Sequence, residues 1–117
     1  MVAQGLAGVY GDPQRITPEL VDRYFELTLR EGNRRALVQR LQQWQRGGDA
    51  ARIATLRLPT LILWGGRDRL IPPATAQAFL QAIPGSRLVT FDDLGHVPHE
   101  EDPARTVVPV QQFLGLR

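Results

Sequence analysis

Apolar residues recur along this chain in two rhythms, and the change comes near Leu58. Before it, Leu20, Val21, Tyr24, Phe25, Leu27 and Thr28 return at three- and four-residue steps, which gathers them on one side of an α-helix. Thr17 stands where its hydroxyl caps that helix, and Pro18 takes the first helical position, where a missing N–H costs nothing. Gly32 and Asn33 stop it, and Asn33 is placed to cap a second helix lined by Leu37, Val38, Leu41 and Trp44 and ended by Gly47 and Gly48. A short helical stretch from Asp49 to Leu56 is expected next.

After Leu58 the pattern is of another kind. Thr60-Leu61-Ile62-Leu63-Trp64 is a continuous apolar run between Pro59 and Gly65-Gly66, as in a strand buried on both faces. Pro72-Pro73 opens a helix carrying Ala76, Phe79, Leu80 and Ile83, closed by Pro84-Gly85, and Arg87–Phe91 reads as a second strand. Asp102 and Pro103 start a last helix through Val107, Val110, Phe113 and Leu114, in which Pro109 is expected to cause a kink or a break. The order helix-rich segment (1–57), then strand–helix–strand–helix (58–117), predicts an α/β fold with two parallel strands. Two strands make a marginal sheet, so the pattern reads as the edge of a larger one, and self-association is expected.

Composition trims the alternatives. With 43% hydrophobic and 22% charged residues and a net charge of +2, the 117 residues describe one small globular unit rather than a disordered tail. The absence of cysteine excludes disulfides, thiolate metal sites and a cysteine nucleophile. No apolar run approaches a spanning helix and Met1–Gly5 lacks signal-peptide order, so a cytoplasmic protein without membrane contact is expected. All 14 basic residues are arginine, which lifts the isoelectric point, but those between residues 30 and 46 are scattered round a helical pattern. That is a solvated face, not a nucleic-acid stripe.

The chemistry lies in the two loops that follow the strands, Gly65-Gly66-Arg67-Asp68 and Gly95-His96-Val97-Pro98-His99-Glu100-Glu101-Asp102-Pro103. Parallel strands send both loops to one carboxyl-terminal edge, so a carboxylate and an imidazole can meet there. The carboxylate would accept the Nδ1 proton, orient the ring and leave Nε2 as a general base.

Leu58–Asp68 together with Gly95–Pro103 resembles the last third of an α/β-hydrolase, in the branch of esterases, carbon–carbon bond hydrolases, haloalkane dehalogenases and epoxide hydrolases. Tyr10–Pro13, Ile16–Glu19 and Val21–Tyr24 are similar to that branch's helical cap and its return into the sheet, so the likeness covers roughly residues 10 to 115. The resemblance implies a partial α/β-hydrolase fold, Asp68 as the triad acid and His96 as the triad base, without cofactor or metal. The family's nucleophile sits upstream on a G-x-S-x-G elbow. This chain has neither that elbow nor a G-x-D-x-G one, and its single serine, Ser86, belongs at the opposite sheet edge. The family's earlier strands and its oxyanion loop are likewise expected upstream of Met1. A small-molecule substrate is expected only after completion by an N-terminal half, and the chain alone should be inactive. The alternative is a non-catalytic remnant that associates through its exposed sheet edge.

Each candidate has a plainer reading. His96 competes with a locally bonded loop histidine, and Asp68 with an Asx-turn residue. His99 is expected as a structural neighbour, Asp92 and Asp93 as turn or surface residues, and Asp102 as a helix cap. Trp64 is expected in the core, and Tyr24, Phe25 and Trp44 in packing. Arg67 and Arg69 are expected to be solvated. His96 and His99 lack the i,i+4 helical spacing of zinc helices, and Pro98 argues against a helix there.

Overall fold

The computed structural model describes residues 2–43 and 50–116. In chain order the elements are α1 (Val2–Val9), a 3-10 turn (Pro13–Arg15), α2 (Pro18–Leu29), α3 (Asn33–Gln43), α4 (Ala50–Ile53), β1 (Leu61–Gly65), α5 (Ala74–Ala82), β2 (Arg87–Phe91), α6 (Pro98–Glu101) and α7 (Pro103–Leu114). Strands β1 and β2 form a parallel pair in which Leu61 faces Arg87 and Gly65 faces Phe91. Side chains alternate across a strand. Trp64, packed on Phe79 of α5 with ring centroids 6.2 Å apart, therefore marks one face. Leu63, beside Val107 and Val110 of α7, marks the other. The crossover helix and the last helix thus cover opposite faces of the sheet.

The buried apolar residues are Leu6, Tyr10, Ile62, Ala76, Ile83, Phe91 and Leu94. They lie in α1 and just after it, in and after the strands, and in α5 and at its end. The helices α2 and α3 contribute no buried residue, and Leu37, Val38 and Leu41 of α3 are all more than half exposed. The apolar stripe read from the sequence exists, but nothing among the described residues covers it. Trp44, Gly47, Gly48 and Asp49 lie outside the described residues. No helix among the described residues is long and apolar enough to cross a membrane.

Capping follows the sequence closely. Thr17 Oγ1 accepts from the Leu20 N–H at 3.2 Å, and Asp102 Oδ1 accepts from the Arg105 N–H at 3.0 Å. Three local expectations are corrected. Helix α7 runs through Pro109 without the break that was one of the two expected outcomes; the acceptor that loses its helical partner is the carbonyl of Arg105. Pro98 opens the short helix α6 rather than preventing one, because it occupies the first helical position. Asn33 is the first residue of α3 and not its cap: Gly32, at φ 86°, supplies the first acceptor to Ala36, and Asn33 Nδ2 donates to the Leu27 carbonyl instead.

Candidate active site

The two loops after β1 and β2 are sewn together by their backbones. Gly66 N–H donates to the Phe91 carbonyl at 2.7 Å and Arg67 N–H to the Leu94 carbonyl at 2.8 Å. Glycine is required where they touch, since a Cβ on Gly65 would stand 1.8 Å from the Gly95 carbonyl oxygen. This close approach brings Asp68 and His96, 28 residues apart, side by side.

Asp68 is buried, and each of its oxygens has its own task. Oδ1 accepts from the Leu70 and Ile71 N–H groups, both at 2.9 Å, which is the Asx-turn reading of this residue. Oδ2 meets His96 Nδ1 at 2.9 Å. An ionised carboxylate only accepts, so against ionised Asp68 it is Nδ1 that donates in this contact. Among the described residues none hydrogen-bonds Nε2. The His96 side chain is one-third exposed, and with Asp68, Leu63, Trp64 and Gly65 it lines a cavity of about 100 Å³ at the carboxyl-terminal end of the sheet.

The other candidates fall elsewhere. His99 is exposed and borders a separate cavity against Leu63, Pro103 and α7. Asp93 is bound by Arg105, whose guanidinium holds the Asp93 carboxyl below its usual range, chiefly through their hydrogen bond. Asp92 is exposed. Trp64 is partly buried, and its Nε1 donates to the Ile71 carbonyl at 3.3 Å, so it belongs to the wall beside Asp68. Phe25 is half exposed, and Arg67 is exposed. Arg69 reaches the Ala7 carbonyl at 3.4 Å. Ser86 precedes β2 and bonds the Leu80 carbonyl at 3.4 Å. A five-residue strand separates it from the His96 loop, about 16 Å at the usual strand rise. Among the described residues no cluster of three metal-ligand side chains occurs.

Sequence reasoning missed two contributors. One is α1, whose last residue accepts the His96 N–H on its carbonyl at 2.7 Å. The repeat of Leu6 and Tyr10, four apart and both buried, was the available signal. The other is the acidic pair of α6. Glu100 Oε2 accepts from the Tyr24 hydroxyl at 2.8 Å and the Tyr10 hydroxyl at 3.1 Å. Burial and then that hydrogen bond push the Tyr24 phenol up to about 12, and the same causes raise Tyr10 further. Glu101 is buried, with its carboxylate turned onto backbone N–H groups.

Comparison with known proteins agrees with this architecture. Lipase 1 of Psychrobacter immobilis is 39% identical over 49 residues, 42% of this chain and 16% of the lipase. The 2-hydroxy-6-oxononadienedioate/2-hydroxy-6-oxononatrienedioate hydrolase 2 of Pseudomonas putida is 41% identical over 46 residues, 39% of this chain and 16% of the relative. The crystal structure of a meta-cleavage product hydrolase from Pseudomonas fluorescens IP01 superposes with a TM-score of 0.81 at 20% identity, over 97% of this chain and 44% of that one. The chain therefore spans less than half the length of the relatives it matches. The profile described as "Alpha/beta hydrolase family" matches residues 3–110, which takes in α1, both strands and both loops: the chain belongs to the alpha/beta hydrolase family.

Proposed function

We propose that Asp68 and His96 are the acid and base of a hydrolytic triad, in the C-terminal part of a hydrolase of esters or related small organic substrates. The carrying observation is the 2.9 Å contact between His96 Nδ1 and an Asp68 oxygen, with the other oxygen anchored to backbone and Nε2 left to the cavity. In that arrangement Nε2 takes the proton of a nucleophile's hydroxyl as it attacks a carbonyl, and later returns it to the leaving group. Asp68 stabilises the imidazolium formed between those steps. The similarity to a lipase and to a carbon–carbon bond hydrolase supports a carbonyl-centred substrate.

These 117 residues contain no G-x-S-x-G elbow, and Ser86 stands at the far end of β2 from His96. By themselves they are therefore inactive in this reading, and turnover requires an elbow and oxyanion donors from elsewhere. The test combines a serine-directed fluorophosphonate with an ester assay. The purified chain stays unlabelled and silent, whereas a mixture with a polypeptide bearing the elbow turns over and loses that activity with His96→Ala. Stoichiometric labelling of Ser86 overturns the assignment. The second reading, a non-catalytic association module, draws on Leu41 and Leu58, 64% and 74% exposed. A concentration-dependent dimer in sedimentation, with no gain of ester turnover on mixing, would favour it.

A further inference from the structure

We infer that Glu101 is the positioning residue of His96, holding the peptide before the imidazole rather than the imidazole itself. Glu101 is 7% exposed, and among the described residues no arginine pairs with its carboxylate. A buried charge needs compensation, and here backbone dipoles supply it. Oε1 accepts from the Gly95 N–H at 2.5 Å, and Oε2 accepts from the Gly11 N–H at 2.9 Å and weakly from Asp12 at 3.4 Å. One side chain thus clamps together two stretches 84 residues apart, the loop bearing His96 and the segment that leaves α1.

Both stretches are glycine at the clamp for a steric reason. A Cβ on Gly95 would lie 2.3 Å from the Val9 carbonyl oxygen and 2.4 Å from Gly11 N, and one on Gly11 would lie 2.6 Å from Gly95 N. With the backbones this close, the Gly95 N–H is fixed by Glu101 and the next N–H, that of His96, by Val9. Anchoring two successive peptides fixes the torsions of Gly95, and with them the direction in which the His96 side chain departs. The third anchor is the ring's contact with Asp68. Glu101 itself is set by α6, whose first residue is Pro98, and its own carbonyl accepts from Arg15 Nη1 at 2.6 Å.

This role rests on the reading of His96 as the base, and nuclear magnetic resonance of the labelled 117-residue chain separates the two. Asp68→Asn tests that reading: it should abolish the downfield imidazole proton that the ring shares with Asp68, and persistence of that proton in the variant refutes the pair. Glu101→Gln keeps the volume but replaces one acceptor by an amide that cannot accept from a backbone N–H. Loss of a charge-assisted bond of this kind corresponds to roughly 10- to 100-fold faster exchange of the Gly95 amide. The expected result is that acceleration together with loss of the shared imidazole proton, while the β1 and β2 amides keep their folded dispersion. A Glu101→Gln protein that retains both the Gly95 protection and the imidazole proton overturns the proposal. If that variant does not fold, Glu101→Asp, one methylene shorter with its charge kept, is read by the same two signals. Unchanged signals there overturn the proposal equally. A purely structural glutamate would lower the melting temperature in either variant without moving the imidazole proton of the folded protein.

Discussion

Replacing Asp68 by asparagine or by alanine should separate its two tasks, because they rest on different oxygens. In Asp68→Asn the remaining carbonyl oxygen can still accept from Leu70 and Ile71, so only the bond to His96 is exchanged, at a cost of about 1 kcal/mol. In Asp68→Ala both N–H groups lose their acceptor in a part-buried turn, and about 2–4 kcal/mol of stability should go. Chemistry should follow the opposite order of severity. The asparagine amide offers hydrogen to Nδ1 and drives the ring proton to Nε2, so the variant folds nearly as well but has no base. In Ser-His-Asp proteases the matching change lowers kcat about 10⁴-fold, worth about 5 kcal/mol of transition-state stabilisation. A loss of that order is expected in any complemented ester assay. Urea denaturation with a fixed m-value measures the first difference, and ¹⁵N shifts of His96 report the tautomer. The reasoning is refuted if asparagine destabilises as much as alanine, or if the ring in Asp68→Asn keeps its proton on Nδ1.

Three further outcomes are expected. Gly95→Ala should cost about 3 kcal/mol or more, because the added methyl meets backbone atoms of Val9, Tyr10 and Gly11 that cannot rotate away; thermal melting beside Gly85→Ala, which has open space but a φ of 72°, distinguishes collision from backbone strain. Glu100→Gln should bring the Tyr24 phenol down from about 12 part of the way toward 10.0, burial being the larger cause; near-ultraviolet titration reads this, and since the folded-state value is the raised one, the associated stability is whole below 10.0 and is lost as pH climbs through the folded value. Arg105→Gln should return Asp93 toward 3.8 and destabilise at neutral pH but not in strong acid; a depressed carboxyl contributes only above its unfolded value, so melting curves of the two proteins that stay parallel down to strong acid would contradict this.

The strands and the two loops were legible because their signals are local. An apolar run between Pro59 and Gly65 has few readings besides a buried strand, and β1 begins one residue later than the run. Arg87–Phe91 was read with its observed ends. Asp68 and His96 were legible as candidates because each follows a strand, and parallel strands leave their following loops on one edge. The clamp was not legible, since Glu101 works through N–H groups that every residue possesses. Nothing in the letters Gly11 and Gly95 says that their backbones lie in contact. The helical segment was legible as helix but not as packing. The stripe on α3 has the spacing of a buried face, yet spacing reports only that a face exists, and here it stays exposed. Pro98 and Pro109 misled for different reasons: at the first position of α6 no helical acceptor was due to the missing N–H, whereas inside α7 one bond is lost and the turns on either side carry the helix through.

The contact between Asp68 and His96 is therefore a property of backbone more than of side-chain packing. Asp68 is held by two N–H groups of its own turn, and His96 by Val9, by Glu101 through Gly95, and by Asp68. None of these bonds involves α3, α4 or the exposed stripes. Hydrogen bonds of this kind are short-ranged, and their strength depends on whether water is kept out. Beside these bonds in the chain stand buried residues, Leu94 with no exposed surface, Phe91 and Tyr10, and Asp68 itself is buried. Substitutions that change the exposed helices should thus alter solubility and association while leaving the imidazole proton in place. Those that shift α1 by even a fraction of an ångström should be felt at His96, because the Val9 carbonyl and the Gly11 N–H reach the site without any flexible side chain of α1 in between.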